Sequence, residues 1–137
     1  MPTRNENFAK LTLRELVNRL PASFETAIAY SDLANIIGFD EPYSGNGFSD
    51  KMSKMLETLG NMLRTVGTRI NMNVPQIQSM VVIKGTGLPG EGINTFLPGY
   101  RGANEENKIQ IVTNEFNNIN RFTEWQLVVT TMEQMYP

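Results

Sequence analysis

The residues Met52, Met55, Leu56, Leu59, Met62, Leu63 and Val66 recur at i, i+3, i+4 and i+7, the spacing that an α-helix gathers onto one face. Ser49 is placed to cap that helix. Asp50 falls in its first turn, where negative charge meets the positive helix end, and Gly67 suits its exit. The predicted helix, 50–66, is roughly 25 Å long at 1.5 Å per residue, enough to cross a small domain. Its other face carries Lys51, Lys54, Glu57, Asn61 and Arg64. So apolar a stripe has to be covered by the rest of the chain. With 137 residues, 40% of them hydrophobic, there is enough apolar material for one buried core without staples.

The remaining punctuation supplies the cover. A helical lead is expected over 8–20. Thr12 and Glu15 stand at capping-box spacing, Leu13, Leu16, Val17 and Leu20 share a face, and Pro21 ends the helix because the residue before proline avoids the α region. Thr26, Ala27, Ile28 and Ala29 read as a short extended piece. A short helix over 32–37 follows, with Ser31 as N-cap and Gly38 as its exit. Residues 40–47 read as an exposed loop. Met80, Val81, Val82 and Ile83 form a β-branched run that predicts a buried strand, and a glycine-dense loop follows over 84–102. Asn104 is placed to cap a helix over 104–119 with Ile109, Val112, Phe116 and Ile119 on one side. The segment 123–135 holds Trp125, Val128, Val129 and Met132 and reads as a last helix, although residues 126–130 fit a strand almost as well. The expected fold class is α+β, mostly helical, with a small sheet, in a single domain over 1–137.

Residue types narrow the chemistry. The chain has no cysteine and no histidine. Disulfides, a thiol nucleophile, the commonest general base near neutral pH and the commonest zinc ligand are all excluded. An acid–base enzyme would have to work through carboxylates or a lysine, and no spacing singles one out. Neither an EF-hand calcium loop nor an H-E-x-x-H pair occurs. The eight methionines fall mostly at helical core spacing and read as adaptable filling rather than a soft metal site. No cofactor, no metal site and no catalytic residue is expected. A net charge of −2 argues against a strongly basic nucleic-acid clamp but leaves room for a local basic face. The longest apolar runs are too short to span a bilayer, and the first residues lack the apolar core of a secretory signal. A cytoplasmic location with no membrane partner is the expectation.

Three constellations merit weighing. Gly85-Thr86-Gly87-Leu88-Pro89-Gly90 matches G-x-G-x-x-G after a predicted strand. A dinucleotide fingerprint needs its last glycines to open a helix that holds pyrophosphate. Here Pro89, Gly90, Glu91 and Gly92 prevent an immediate helix, and no lysine follows as a P-loop requires. The glycines read as a shaped turn. Lys84, Thr86 and Arg101 nonetheless flank a backbone of unhindered N–H groups that could accept a phosphate or a peptide edge. Secondly, Glu105 and Glu106 are accounted for by the start of the 104–119 helix, and Asp40 and Glu41 lie in a loop. Thirdly, Lys51, Lys54 and Arg64 make a modest basic strip on the long helix. The strip is either a solvated face or a groove-facing one, with phosphate contacts from the lysines and with Asn61 and Asn46 reaching base edges.

The run Ala29-Tyr30-Ser31-Asp32-Leu33-Ala34-Asn35-Ile36-Ile37-Gly38 resembles the opening of the winged-helix-like domain of alkylguanine-DNA alkyltransferases and their non-enzymatic relatives. The long helix, then Val74-Pro75, Val81-Val82, a glycine-rich turn and Gly99-Tyr100 keep the family's order, so that the resemblance covers roughly 22–102. It implies a winged-helix-like centre flanked by the lead (1–21) and a C-terminal helical segment (103–137). It places Tyr30 at the family's tyrosine beside a flipped nucleotide's phosphate, and Lys51 near its intercalating arginine, though no arginine stands there. The nucleophile segment reads Gln76-Ile77-Gln78-Ser79, without cysteine or histidine, so alkyl transfer is excluded. The strand leading into Lys84-Gly85-Thr86-Gly87-Leu88-Pro89-Gly90-Glu91-Gly92 is also similar to a small bacterial module found alone or beside restriction-type nucleases, which implies a setting in DNA defence or phage conflict.

The leading expectation is a non-catalytic DNA-binding protein that uses Tyr30, Lys51, Lys54, Asn61, Arg64, Lys84, Thr86 and Arg101. The alternative is a small acidic inhibitor or adaptor that docks on the positive surface of a nucleic-acid-processing defence enzyme through Asp40, Glu41, Glu105 and Glu106.

Overall fold

The computed structural model describes residues 1–39 and 46–137. Helix α1 (Arg4–Asn18) starts earlier than the expected lead. The capping box is Thr3 with Glu6: Glu6 N–H donates to Thr3 Oγ1 at 3.1 Å and Thr3 N–H donates to Glu6 Oε1 at 2.8 Å. Thr12 and Glu15 have the same spacing, but Thr12 is buried in mid-helix, where its hydroxyl donates to the Phe8 carbonyl at 2.9 Å. Glu15 pairs with Arg19 one turn on. Ala9 joins Leu13 and Leu16 on the buried face. Thr3→Ala is therefore expected to cost about 1 kcal/mol in urea unfolding, and Glu15→Ala about 0.5 kcal/mol or less.

Strand β1 (Ile28–Ala29) pairs in parallel with β2 (Val81–Val82), Ile28 opposite Val81 and Ala29 opposite Val82. Helix α2 (Tyr30–Ile37) begins on the residue after β1. Its N-cap is Ala29, which offers no side-chain acceptor, and Ser31 lies inside the helix rather than capping it. Gly38 ends α2 in the left-handed region at φ 76°, as expected. The expected loop falls outside the described residues over 40–45, Asp40 and Glu41 with it; at 46–47 it is helix.

Helix α3 (Asn46–Ile70) has 25 residues and runs beyond both expected ends. It is roughly 37 Å long at the standard rise. The side chain of Asn46 also lies outside the described set. Ser49 and Gly67, expected as its caps, are interior positions. Gly67 is needed for a close approach instead. The chain doubles back so that Met72 N–H donates to the Gly67 carbonyl at 2.9 Å, and a Cβ on residue 67 would stand 2.6 Å from the Met72 oxygen. Asn71 takes the left-handed turn, at φ 57°.

A 3₁₀ helix (Ile77–Met80) leads into β2 and replaces the first residue of the expected strand. A second 3₁₀ helix (Glu91–Thr95) lies within the expected loop. Helix α4 (Glu105–Arg121) is capped by Asn104, whose Oδ1 accepts Asn107 N–H at 2.8 Å. Its buried line is Val112, Glu115, Phe116 and Ile119, with Ile109 exposed rather than inward. The final segment is helix α5 (Trp125–Met135), whose Trp125 Nε1 donates to the Ile119 carbonyl at 3.1 Å.

The fold is thus mostly helical α+β with a small sheet. Helix α3 is its axis, packed against α1, α5 and both 3₁₀ helices, while α4 lies on the first 3₁₀ helix. One hydrophobic cluster draws on every α-helix and both strands of the described residues, with Met52, Met55, Met62, Met80 and Met132 among its buried members. After β2 the chain closes a tight turn, with Ile83 N–H donating to the Leu88 carbonyl at 2.9 Å. Among the described residues no helix is long and apolar enough to cross a membrane.

Candidate functional site

The β1–α2 junction places Tyr30 at a seam. Opposite it stand Ser53 on α3 and the Pro89–Gly90 turn beyond β2. Position 90 has to be glycine, since a Cβ there would lie 2.6 Å from the Tyr30 hydroxyl oxygen. On the other side of the turn the Tyr100 hydroxyl donates to the Pro89 carbonyl at 2.6 Å. Two tyrosines therefore pin one turn, and beneath it a narrow cleft opens between Tyr30, Ser53, Leu56, Glu57, Gln78 and Phe96. Its free volume, about 20 Å³, is room for about one water. A wider groove of about 400 Å³ shares Tyr30, Ser53 and Gly90 with the cleft and is bounded also by Ser31, Phe48, Ser49, Ile83 and Lys84.

Hydrogen bonding at the cleft floor is uneven. Gln78 is 2% exposed. Its Nε2 donates to Gln76 Oε1 at 2.5 Å, but its Oε1 has no partner among the described residues. Gln76 is itself held twice: its N–H donates to Glu115 Oε2 at 2.6 Å, and its carbonyl accepts the Ser79 hydroxyl at 2.9 Å. Glu115 is buried and also accepts Asn118 Nδ2 at 3.0 Å.

Burial raises the pKa of Tyr30 above the ordinary phenol value, although hydrogen bonds from the Ser53 hydroxyl and Gly90 N–H partly counter it. Tyr100 is pushed up to about 12, by burial first and then by the Glu91 carboxylate and Tyr30. Both shifts favour the neutral phenol in the folded state. Above about pH 10 the unfolded chain loses these protons while the fold keeps them, so stability is fully present below pH 10 and is lost as pH rises toward 12. The melting temperature should fall over that window. Tyr100→Phe should flatten part of the fall, an outcome that calorimetry across the same pH range checks.

The structure gathers some of the expected site residues and leaves others apart. Tyr30 and Lys84 border the groove together. Lys51, Lys54 and Asn61 are exposed on α3. Arg64 is turned toward the second 3₁₀ helix, over the Phe96 ring at 4.6 Å and donating to the Thr95 carbonyl at 3.3 Å. Arg101 is exposed and borders neither cleft nor groove; its backbone N–H donates to Asn94 Oδ1 at 2.9 Å. The open N–H groups expected in the glycine turn are partly consumed. Thr86 and Gly87 donate to the Ile83 carbonyl, and Leu88 N–H donates to Thr86 Oγ1 at 3.2 Å. Thr86 therefore shapes the turn. Glu105 and Glu106 are exposed on the first turn of α4. Sequence reasoning missed Ser53, Glu57, Gln78 and Gly90 as site residues. For Gln78 the signal was its position in the segment where the resemblance places a nucleophile.

No protein-family model, no curated protein and no solved structure matches the chain.

Proposed function

We propose that this chain is a non-catalytic DNA-binding protein that lays the N-terminal half of α3 and the 84–101 segment against the nucleic acid. The observation that carries this reading is the groove where Lys84 meets Tyr30 and the Ser49–Ser53 side of α3. Helix α3 carries Lys51 and Lys54 in its N-terminal half, where Asp50 and Glu57 balance them in number, and Arg64 and Arg69 in its C-terminal half. Neither Lys54 nor Lys84 forms an ion pair among the described residues, which leaves both ammonium groups available to phosphates. Absence of histidine and cysteine supports holding rather than transforming. The order of segments supports the same reading through the resemblance to alkyltransferase-like proteins, and the similarity of the 84–92 run to a small bacterial module found beside restriction-type nucleases adds the DNA-defence setting.

A gel-shift series tests this. A duplex should bind in the micromolar range at low salt. If about three phosphates are neutralised, affinity should drop roughly 40-fold from ~0.05 to ~0.2 M salt. Lys54→Glu and Lys84→Glu should each weaken binding about tenfold. No shift at micromolar protein overturns the reading. The alternative, an acidic adaptor for a protein partner, draws support from the exposed Glu105 and Glu106. A pull-down from DNA-digested lysate, with Glu105→Lys as control, separates the two.

A further inference from the structure

We infer that the groove bordered by Lys84 is a site for a nucleotide phosphomonoester, the terminal phosphate of a strand rather than an internal phosphodiester, with the Lys84 ammonium and the Ser31 and Ser49 hydroxyls as its donors. The inference rests on the nucleic-acid reading above and deepens it.

Three separate segments bring these donors to one groove: Ser31 from α2, Ser49 from α3 and Lys84 from the turn after β2. Neither serine hydroxyl has a hydrogen-bond partner, and Lys84 has no ion pair, among the described residues. Ser53 lies one turn beyond Ser49 on the same side of α3, but its hydroxyl is given to Tyr30. The carboxylate on the groove wall belongs to Glu91, and Lys108 Nζ holds it at 2.9 Å. Asp32 and Asp50 adjoin the two serines in sequence and do not border the groove. An uncompensated ammonium beside two open hydroxyls, with the neighbouring carboxylate already paired, selects an anion with several acceptor oxygens.

Shape decides which anion. A strand that ran through the groove would need an exit on each side. On the side of Tyr30, Ser53 and Gly90 the groove adjoins the inner cleft, whose free volume of about 20 Å³ has room for about one water and none for a sugar. The groove itself, about 400 Å³, is near the small end of ligand pockets, which run ~300–1,000 Å³, and suits one nucleotide rather than a duplex. Phe48 and Ile83 supply apolar wall for that nucleotide's sugar or base. A phosphomonoester brings a charge of about −1.5 to −2 at neutral pH and three terminal oxygens to the donors. An internal phosphodiester brings a single charge and two such oxygens, and it comes with a sugar on both sides.

The same phosphomonoester is carried by a DNA end and by a free nucleotide. The probes are one duplex in three forms, 5′-phosphorylated, 3′-phosphorylated and with hydroxyls at every end, titrated at ~0.05 M salt. Wild-type protein should bind one phosphorylated form about tenfold more tightly than the unphosphorylated one. Ser31→Ala combined with Ser49→Ala should cut that preference to about twofold or less. Neither hydroxyl holds another part of the chain, so the double variant should fold as wild type does, which its melting temperature checks. Equal wild-type affinity for all three forms overturns the inference and leaves the DNA reading standing. A preference that the double variant keeps in full also overturns it, because the phosphate then binds elsewhere. Failure of every form to bind removes the reading and the inference together. The competitor is 2′-deoxyadenosine monophosphate with its phosphate at the preferred position. Competition as strong as that of the phosphorylated duplex assigns the source to the free nucleotide, and failure to compete assigns it to the strand end.

Discussion

Leu59→Ala is expected to destabilise the protein by about 3–4 kcal/mol, enough to lower its melting temperature by roughly 10 °C or more. Leu59 is fully buried midway along α3, the helix that touches α1, α5 and both 3₁₀ helices. Truncation there removes apolar burial and leaves a cavity in the close-packed core, which relaxes only in part to fill it. Helix α3 also supplies Ser53, Leu56 and Glu57 to the cleft, so the same packing that stabilises the fold fixes the site. Thr65→Ala, an exposed change on the same helix, should be within about 0.5 kcal/mol of wild type. Urea unfolding of both variants checks the contrast. A loss below about 1 kcal/mol for Leu59→Ala would remove α3 from the centre of the core.

The second large effect concerns the sign of a helix glycine. On an exposed helix Gly→Ala gains about 1 kcal/mol. Gly60 lies inside α3, where a Cβ would stand 2.3 Å from Phe96 Cζ and 2.6 Å from Gln78 Nε2. Phe96 cannot swing away freely, since it is buried beneath the Arg64 guanidinium. Overpacking costs of about 1–3 kcal/mol outweigh the propensity gain. Gly60→Ala should therefore be destabilised by about 1–2 kcal/mol and should also shift Gln78 and the cleft floor. A stabilised Gly60→Ala would mean that helix α3 does not approach the 3₁₀ helices this closely.

Much of the secondary structure was legible because its signals repeat. The apolar spacing of α3 persists over many turns, so local exceptions cannot hide it. Helix ends rest on single residues and were read less well. Thr3 with Glu6 and Thr12 with Glu15 have identical spacing, and only packing decides between them. Gly67 looked like a cap because glycine commonly ends helices, but its cause is Met72, which folds back on it from outside the helix. The site was legible where charge or order marked it, at Tyr30 and Lys84. Gln78 and Glu57 were not. Their meaning depends on what stands across a cleft from them, and no periodicity encodes that. The glycine turn misled in a specific way: the N–H groups of Thr86, Gly87 and Leu88 look open in sequence but are bonded to the Ile83 carbonyl and to Thr86 Oγ1 in the fold.

Amide hydrogen exchange with and without a DNA duplex at low salt tests the proposed face most directly. Slowed exchange should concentrate over 49–57 and 84–93, with α5 and the exposed side of α4 unchanged. Protection confined to α4 and α5, or spread evenly over the chain, would contradict the assignment of the α3 and glycine-turn face as the surface that holds nucleic acid.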